Sequence, residues 1–267
     1  MTPGEALEVT QVWSAAGISR GLVRERPFRA PHHGISFAGL TGGGPRIRPG
    51  EMSLATHGVL YLDEMPEFRR DALEALRQPI EDGEITVARV HATATLPARF
   101  TLVASMNPCP CGHLGSRGGR CRCTPRQVHH YLSKLSGPLL DRFDIVVEVP
   151  PVEIASLAGG RPGEPSAAVR ARVAEARARQ RERFGPDGPT CNARMGSPDL
   201  DRHAGFDPAC RRLLVDACER LGLSARAWDR VRRVARTLAD LDGAGTIGPV
   251  HVAEAVQYRR GLGADGG

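Results

Sequence analysis

Three short apolar runs do most to limit what this chain can fold into. Residues 59–62, 100–105 and 145–149 are each apolar and mostly without alternation. Strands with one wet face alternate apolar and polar residues, whereas strands covered on both faces of a parallel sheet do not. Between the first two runs the sequence predicts a helix near 69–78 and a hairpin-like segment over 83–97. In that segment Ile85, Val87 and the Thr93/Thr95 pair favour extended chain. A short helix over 5–16, a basic Pro-containing stretch over 24–33 and a Gly-rich loop over 40–45 come before the first run. The fold class expected for this part is α/β.

The character changes after Pro150-Pro151. A charged helix is predicted over 167–184, a Gly/Pro-rich connector over 185–198, and helices near 208–221, 225–241 and 249–258. Within 225–241, Trp228, Val231, Val234, Ala235, Leu238 and Leu241 share one face. Pro249 suits a first helical position. The expected organisation is an α/β subdomain over 1–153, a helix and linker over 154–198, and an all-α subdomain over 199–262.

The composition is that of an ordinary globular chain, 41% hydrophobic and 25% charged. No apolar run approaches a membrane span and no signal-like segment opens the chain, so a cytoplasmic protein with no membrane partner is expected. The net charge of +6 is spread along the chain and gives only weak support for nucleic-acid binding. Lys134 is the sole lysine, a bias that GC-rich coding explains more simply than function does.

The candidate chemistry lies where the apolar runs end. The run 59–62 ends in Asp63-Glu64, two acids at the carboxyl edge of a sheet, where open α/β folds bind ligands. One such carboxylate can hold Mg²⁺ through water, and the next can orient the water that attacks a γ-phosphate. The alternative is an acidic exit from a strand. The run 100–105 leads into Met106-Asn107-Pro108, placing an amide at the edge of the neighbouring strand, or simply a turn-forming Asn before Pro. Arg142, in Leu140-Asp141-Arg142-Phe143-Asp144, is either an arginine offered to a neighbouring subunit or a salt-bridge partner of Asp141 or Asp144.

Taken together, the strings resemble the YifB/ComM family of magnesium-chelatase-like AAA+ ATPases. They are Arg26-Pro27-Phe28-Arg29-Ala30-Pro31-His32-His33, Arg48-Pro49-Gly50-Glu51, 58–68, Ala75-Leu76-Arg77-Gln78-Pro79, Asn107-Pro108-Cys109-Pro110-Cys111-Gly112, Ser136-Gly137-Pro138-Leu139-Leu140-Asp141-Arg142 and Leu223-Ser224-Ala225-Arg226-Ala227. The similarity covers nearly all of residues 4–260. It implies a partial AAA+ P-loop NTPase sheet followed by an all-α lid, with ATP and Mg²⁺ as cofactors. Asp63 and Glu64 are then the Walker B pair, Asn107 sensor 1, Arg142 the trans-acting finger and Arg226 the sensor 2 arginine. The resemblance further implies a hexameric ring of self or of an intact homologue, and a branch-migration motor on DNA used in natural transformation. Arg89 and His91 of the hairpin are then phosphate contacts or solvated loop charges. An ATPase subunit of a metal insertase and a non-enzymatic assembly remnant are the competing readings.

Seven cysteines in such a chain argue against a disulfide scaffold. Cys109, Cys111, Cys121 and Cys123 form two C-x-C pairs that can make a closed, structural Zn²⁺ site, with His113 as a substitute ligand, or else a loop of free thiols.

One family element is missing from these 267 residues. No G-x-x-x-x-G-K-[ST] occurs, because Lys134 follows no glycine loop and Thr41-Gly42-Gly43-Gly44 runs into Pro45-Arg46. A truncated product is the expectation, ahead of a split protein whose P-loop half is a separate chain. P-loop amides and lysine make most of the charge-assisted contacts to the β- and γ-phosphates. The chain alone is therefore expected to bind ATP weakly and hydrolyse it at background. A Mg²⁺-dependent ATPase rate of about 1 s⁻¹ or more from the purified chain, the ordinary range for such chemistry, would overturn this.

Overall fold

A computed structural model describes residues 1–19, 21–44, 47–89, 92–115, 119–150 and 163–259. The chain divides into two units, Met1–Arg142 and Phe143–Gly267.

The first unit is built on a three-stranded parallel sheet. Its strands are β1 (Phe28–Arg29), β4 (Val59–Leu62) and β7 (Thr101–Ala104), in the order β1-β4-β7. Leu60 and Leu62 of the central strand are fully buried. Entry into β4 requires Gly58, since a Cβ there would lie 2.0 Å from the Pro27 carbonyl oxygen. That close approach lets Val59 N–H donate to the same oxygen at 2.8 Å and start the β1 ladder.

Helix α1 (Pro3–Ala15) begins two residues before the predicted start, because Thr2 and Glu5 form a reciprocal capping box with Pro3 in the first turn. It buries Ala6, Val9 and Val12, and Trp13 donates its indole N–H to the Leu54 carbonyl at 3.0 Å. Two short helices, α2 (Phe37–Thr41) and α3 (Glu51–Leu54), flank a small antiparallel pair, β2 (Gly42–Gly43) and β3 (Arg48–Pro49).

The single helix predicted near 69–78 is two: α4 (Arg70–Glu74) and α5 (Arg77–Asp82). Pro79 explains the break. In a continuous helix its ring would clash with the Ala75 carbonyl, whereas in the first turn of a new helix its missing N–H costs nothing. The hairpin follows as β5 (Glu84–Arg89) and β6 (Ala92–Pro97), paired antiparallel from Glu84↔Pro97 to Arg89↔Ala92. Ile85 and Val87 are buried, and Thr86 and Thr95 face each other across the strands at 3.4 Å. Helices α6 (Pro125–Leu132) and α7 (Gly137–Leu140) complete the unit.

The second unit is helical. Among the described residues its helices are α8 (Ser166–Phe184), α9 (Ser197–His203), α10 (Pro208–Leu221), α11 (Ala225–Leu241) and α12 (Pro249–Gln257). Leu200, Leu214, Val231, Ala235, Val252 and Val256 pack together, as the apolar face of α11 predicted. The apolar run 145–149 forms no strand. Val146 N–H donates to the Tyr258 carbonyl at 2.9 Å, and Ile145, Val147 and Val149 are exposed. Apolar content alone does not make a strand, which needs a neighbour's unpaired row of N–H and C=O groups.

A buried ionic cluster braces this unit. Asp240 is fully buried and accepts from Arg183, Arg236 and the Asn192 side chain, with Arg183 Nη1 at 2.9 Å and Asn192 Nδ2 at 2.8 Å. Burial works to raise the Asp240 pKa, but the Arg183 and Asn192 hydrogen bonds and the Arg236 charge outweigh it and hold the carboxyl below its ordinary range. A depressed pKa contributes stability above the unfolded value and loses it as pH falls through the folded one. The second unit should therefore weaken through this group only below about pH 4. Asp240→Ala strands the buried Arg236 guanidinium and the part-buried one of Arg183 and should cost about 3–5 kcal/mol, read as a lower urea midpoint.

Candidate functional site

The site is assembled by the register of two neighbouring strands. Leu62 pairs with Ala104, so the residues just past the ends of β4 and β7, Asp63 and Ser105, leave the sheet side by side. Ser105 N–H donates to the Leu62 carbonyl at 3.0 Å, and Met65 N–H returns to the Ser105 carbonyl at 2.9 Å. Asp63-Glu64 and Asn107 thus depart from the same carboxyl edge, on adjacent strands.

Three donors converge on one oxygen of Asp63. The Ser105 hydroxyl, the Tyr61 hydroxyl at 3.3 Å and the Glu64 N–H at 3.1 Å all reach Oδ1. Tyr61 also donates to Ser105 Oγ at 3.2 Å. The Asp63 pKa is lowered, first by Ser105; desolvation opposes this, while Tyr61 and the Glu64 amide add to it. A carboxylate oriented through Oδ1 and kept ionised is fit to face a hydrated divalent cation.

Glu64 has a left-handed backbone, φ 53° and ψ 48°, unusual for a residue with a side chain. Such a conformation costs of order 1–3 kcal/mol and persists only where surrounding contacts over-determine it. Here the Met65–Ser105 bond and the Glu67 N–H, which donates to the Glu64 carbonyl at 2.7 Å, do so. The Glu64 side chain stays half exposed, with His33 Nδ1 3.6 Å from Oε2. His33 lies against His32 with ring centroids 4.0 Å apart.

Asn107 is exposed just beyond β7. Burial raises the pKa of the buried Tyr131 of α6, and the Asn107 backbone works against that shift. Arg142 is turned inward: it is buried, with Nη2 2.8 Å from Glu81 and Nη1 donating to the Pro138 carbonyl at 2.6 Å. It braces α7 against α5. Arg226 is exposed in the first turn of α11, in the second unit. Lys134 pairs with Glu67 at 3.5 Å. Arg89 ends β5, and His91 lies outside the described residues.

The four clustered cysteines meet. Cys109 Sγ lies 3.4 Å from Cys111 and 3.7 Å from Cys121, and Cys111 lies 3.6 Å from Cys121. With Cys123 included, all four sulfurs fall within 4.8 Å of one another. The Cys111 thiol is lowered to about 6, first by the His113 backbone hydrogen bond and then by Cys109.

Sequence reasoning gave no role to Ser105, Tyr61 or His33. Tyr61 carried a usable signal, since residues two apart in a strand share a face, and Asp63 follows it by two. Ser105 becomes visible only once the β4–β7 register is known. Ser105→Ala should raise the Asp63 pKa toward its ordinary value, measured by carboxyl-carbon NMR titration, while Ser53→Ala should leave it alone.

The sequence pattern of magnesium chelatase, subunit ChlI, matches residues 1–157, and that of its C-terminal part matches residues 163–259. The chain is 47% identical to competence protein ComM of Haemophilus influenzae over 97% of its own length and 50% of that protein. It is 48% identical to YifB of Escherichia coli over 88% of its length and 46% of that protein. A weaker likeness, 26% identity over 49% of the chain, reaches the DNA replication licensing factor Mcm6 of Drosophila melanogaster. The chain spans about half the length of the first two relatives. On these matches, and with Asp63-Glu64 and Asn107 on one sheet edge, the chain belongs to the magnesium chelatase ChlI family, within its YifB/ComM branch.

Proposed function

We propose that this chain is the water-activating part of an ATP-driven DNA motor that works as a ring in the cytoplasm. The observation that carries the reading is the pair of acids Asp63-Glu64 leaving the sheet beside the strand that ends in Asn107. Bound ATP with Mg²⁺ supplies a phosphoanhydride bond whose cleavage is strongly favourable. Asp63 would hold Mg²⁺ through water, with Oδ1 already engaged by Ser105, Tyr61 and the Glu64 amide. Glu64, displaced from the strand direction by its left-handed backbone, would orient and accept a proton from the attacking water. Asn107 would hydrogen-bond that water and a γ-phosphate oxygen.

Arg142 would act in trans, leaving Glu81 for the phosphate of a neighbouring subunit's nucleotide, and Arg226 would reach the nucleotide from the lid. The cofactor set is thus ATP and Mg²⁺, with Zn²⁺ as a structural ion on the four cysteines. The ring is six copies of the chain or a mixed ring with an intact homologue, with DNA as the partner. Support for the DNA substrate comes from the family branch and from the Mcm6 likeness. Arg89, where the hairpin turns, is the candidate phosphate contact.

DNA binding separates this motor from a metal insertase subunit. The chain should retain a labelled branched DNA at low salt, with affinity falling steeply as salt rises. Arg89→Ala should lower the salt slope by about one. Failure to retain DNA, with a chelatase-type subunit recovered instead, would favour the insertase. In a ring with intact ComM of Haemophilus influenzae, a Glu64→Gln chain should depress the ATPase rate, and no effect at any ratio would remove the ring reading.

A further inference from the structure

The cysteine loop sits between two parts of the site. It begins two residues after Asn107, at Cys109, and ends one residue before Thr124, the N-cap of α6. Thr124 and Gln127 form a reciprocal capping box, so the loop's exit is fixed by the helix it enters. Its entrance is a tight turn: Gly112 has φ +76° and donates to the Cys109 carbonyl at 3.0 Å. Cys109 itself is fully buried.

The sulfur spacing is that of a coordination shell. A tetrahedral ion bound at about 2.3 Å by four thiolates separates the sulfurs by about 3.8 Å. The distances here are 3.4, 3.6 and 3.7 Å, and all seven cysteines are free thiols. A disulfide would need about 2.05 Å. A four-sulfur tetrahedral set selects zinc, or iron in an iron–sulfur centre, over the hard ions that carboxylates bind. With every position filled by protein, such a site is structural and leaves no opening for a reacting water.

Asn107 lies between this loop and the helix that follows it. A Cβ placed on Gly112 would lie 3.7 Å from Asn107 Cγ and Oδ1, so the turn after Cys111 runs beside the carboxamide with room for little more than a methyl group between them. On the helix that the loop enters, the Asn107 backbone works to lower the Tyr131 pKa against burial, which raises it. A metal bound by the four sulfurs would tie Cys109 and Cys111, which follow Asn107, to Cys121 and Cys123, which precede α6.

We propose that the four thiolates bind one Zn²⁺ ion and that the bound ion positions the Asn107 carboxamide at the end of β7. Asn107 is a positioning target here, and the cysteines are not catalytic residues. The inference rests on the proposed function only for what Asn107 does, since metal content and local order can be read without ATP.

The test uses the purified chain. Elemental analysis should find one zinc per chain, retained on gel filtration, and Cys111→Ser and Cys121→Ser should each lose it. Cys191→Ser and Cys218→Ser, outside the cluster, should keep it. Cobalt substitution should give the visible ligand-field bands of a tetrahedral thiolate site. Hydrogen exchange should then be compared for zinc-loaded and chelator-stripped wild-type chain, which avoids variants that fail to fold. Amides over 105–112 and 124–132 should exchange about tenfold faster without zinc, while those of α11 should not change. No zinc after reconstitution, an iron chromophore in its place, or paired disulfides would overturn the metal site. Stoichiometric zinc with unchanged exchange over 105–112 would overturn the positioning role alone.

Discussion

Parallel pairing of β4 with β7 is the constraint on which the first unit depends. Thr101 N–H donates to the Gly58 carbonyl at 2.9 Å and Ser105 N–H to the Leu62 carbonyl at 3.0 Å, so the two strands begin and end at the same level. Their buried residues, Leu60 and Leu62, hold that register against a slip, because a shift of one residue would turn them to the other face. Beyond the last ladder bond the chain must bend away. The bend brings Ser105 onto Asp63, obliges Glu64 to adopt a left-handed backbone, and leaves Asn107 within reach of α6.

The strain at Glu64 therefore belongs to the same ladder. Its backbone cost is met by Met65, which is buried and bonded to Ser105, and by the short helical turn that follows. The side chain gains a direction that an extended residue would not have. Arg142 is held differently, by charge rather than by register, and its Nε finds no hydrogen-bond partner among the described residues. An unsatisfied buried donor beside a half-exposed Glu81 makes this arginine less firmly anchored than its low exposure alone implies.

The second unit is organised around polar groups as much as around apolar ones. Asp240 sits within the helix that carries the main apolar face, and its partners come from α8, from α11 itself and from the turn at Asn192. Removing Asp240 would leave the buried Arg236 and the part-buried Arg183 without this anion, so the three elements are fixed relative to one another by charge compensation. The arginine-rich composition of α11 is thereby partly structural: Arg230, Arg232, Arg233 and Arg236 all have partners on other elements or on the same helix.

Much of this was legible in the sequence where local chemistry decides. The acids after an apolar strand, the hairpin and the helices of the second unit all follow from period and turn residues whose effects act within a few positions. Tertiary structure decided the rest, because it depends on partners distant in sequence. The run 145–149 has strand-like residues but no strand partner among the described residues, Pro79 divides the single helix expected near 69–78, and Arg142 meets Glu81 instead of Asp141 or Asp144. The sequence by itself determined which groups could bind a cation, orient water or ligate a metal. Only the strand register and the loop closure determined that Ser105 locks Asp63, and that four cysteines separated by up to fourteen positions present their sulfurs within 4.8 Å.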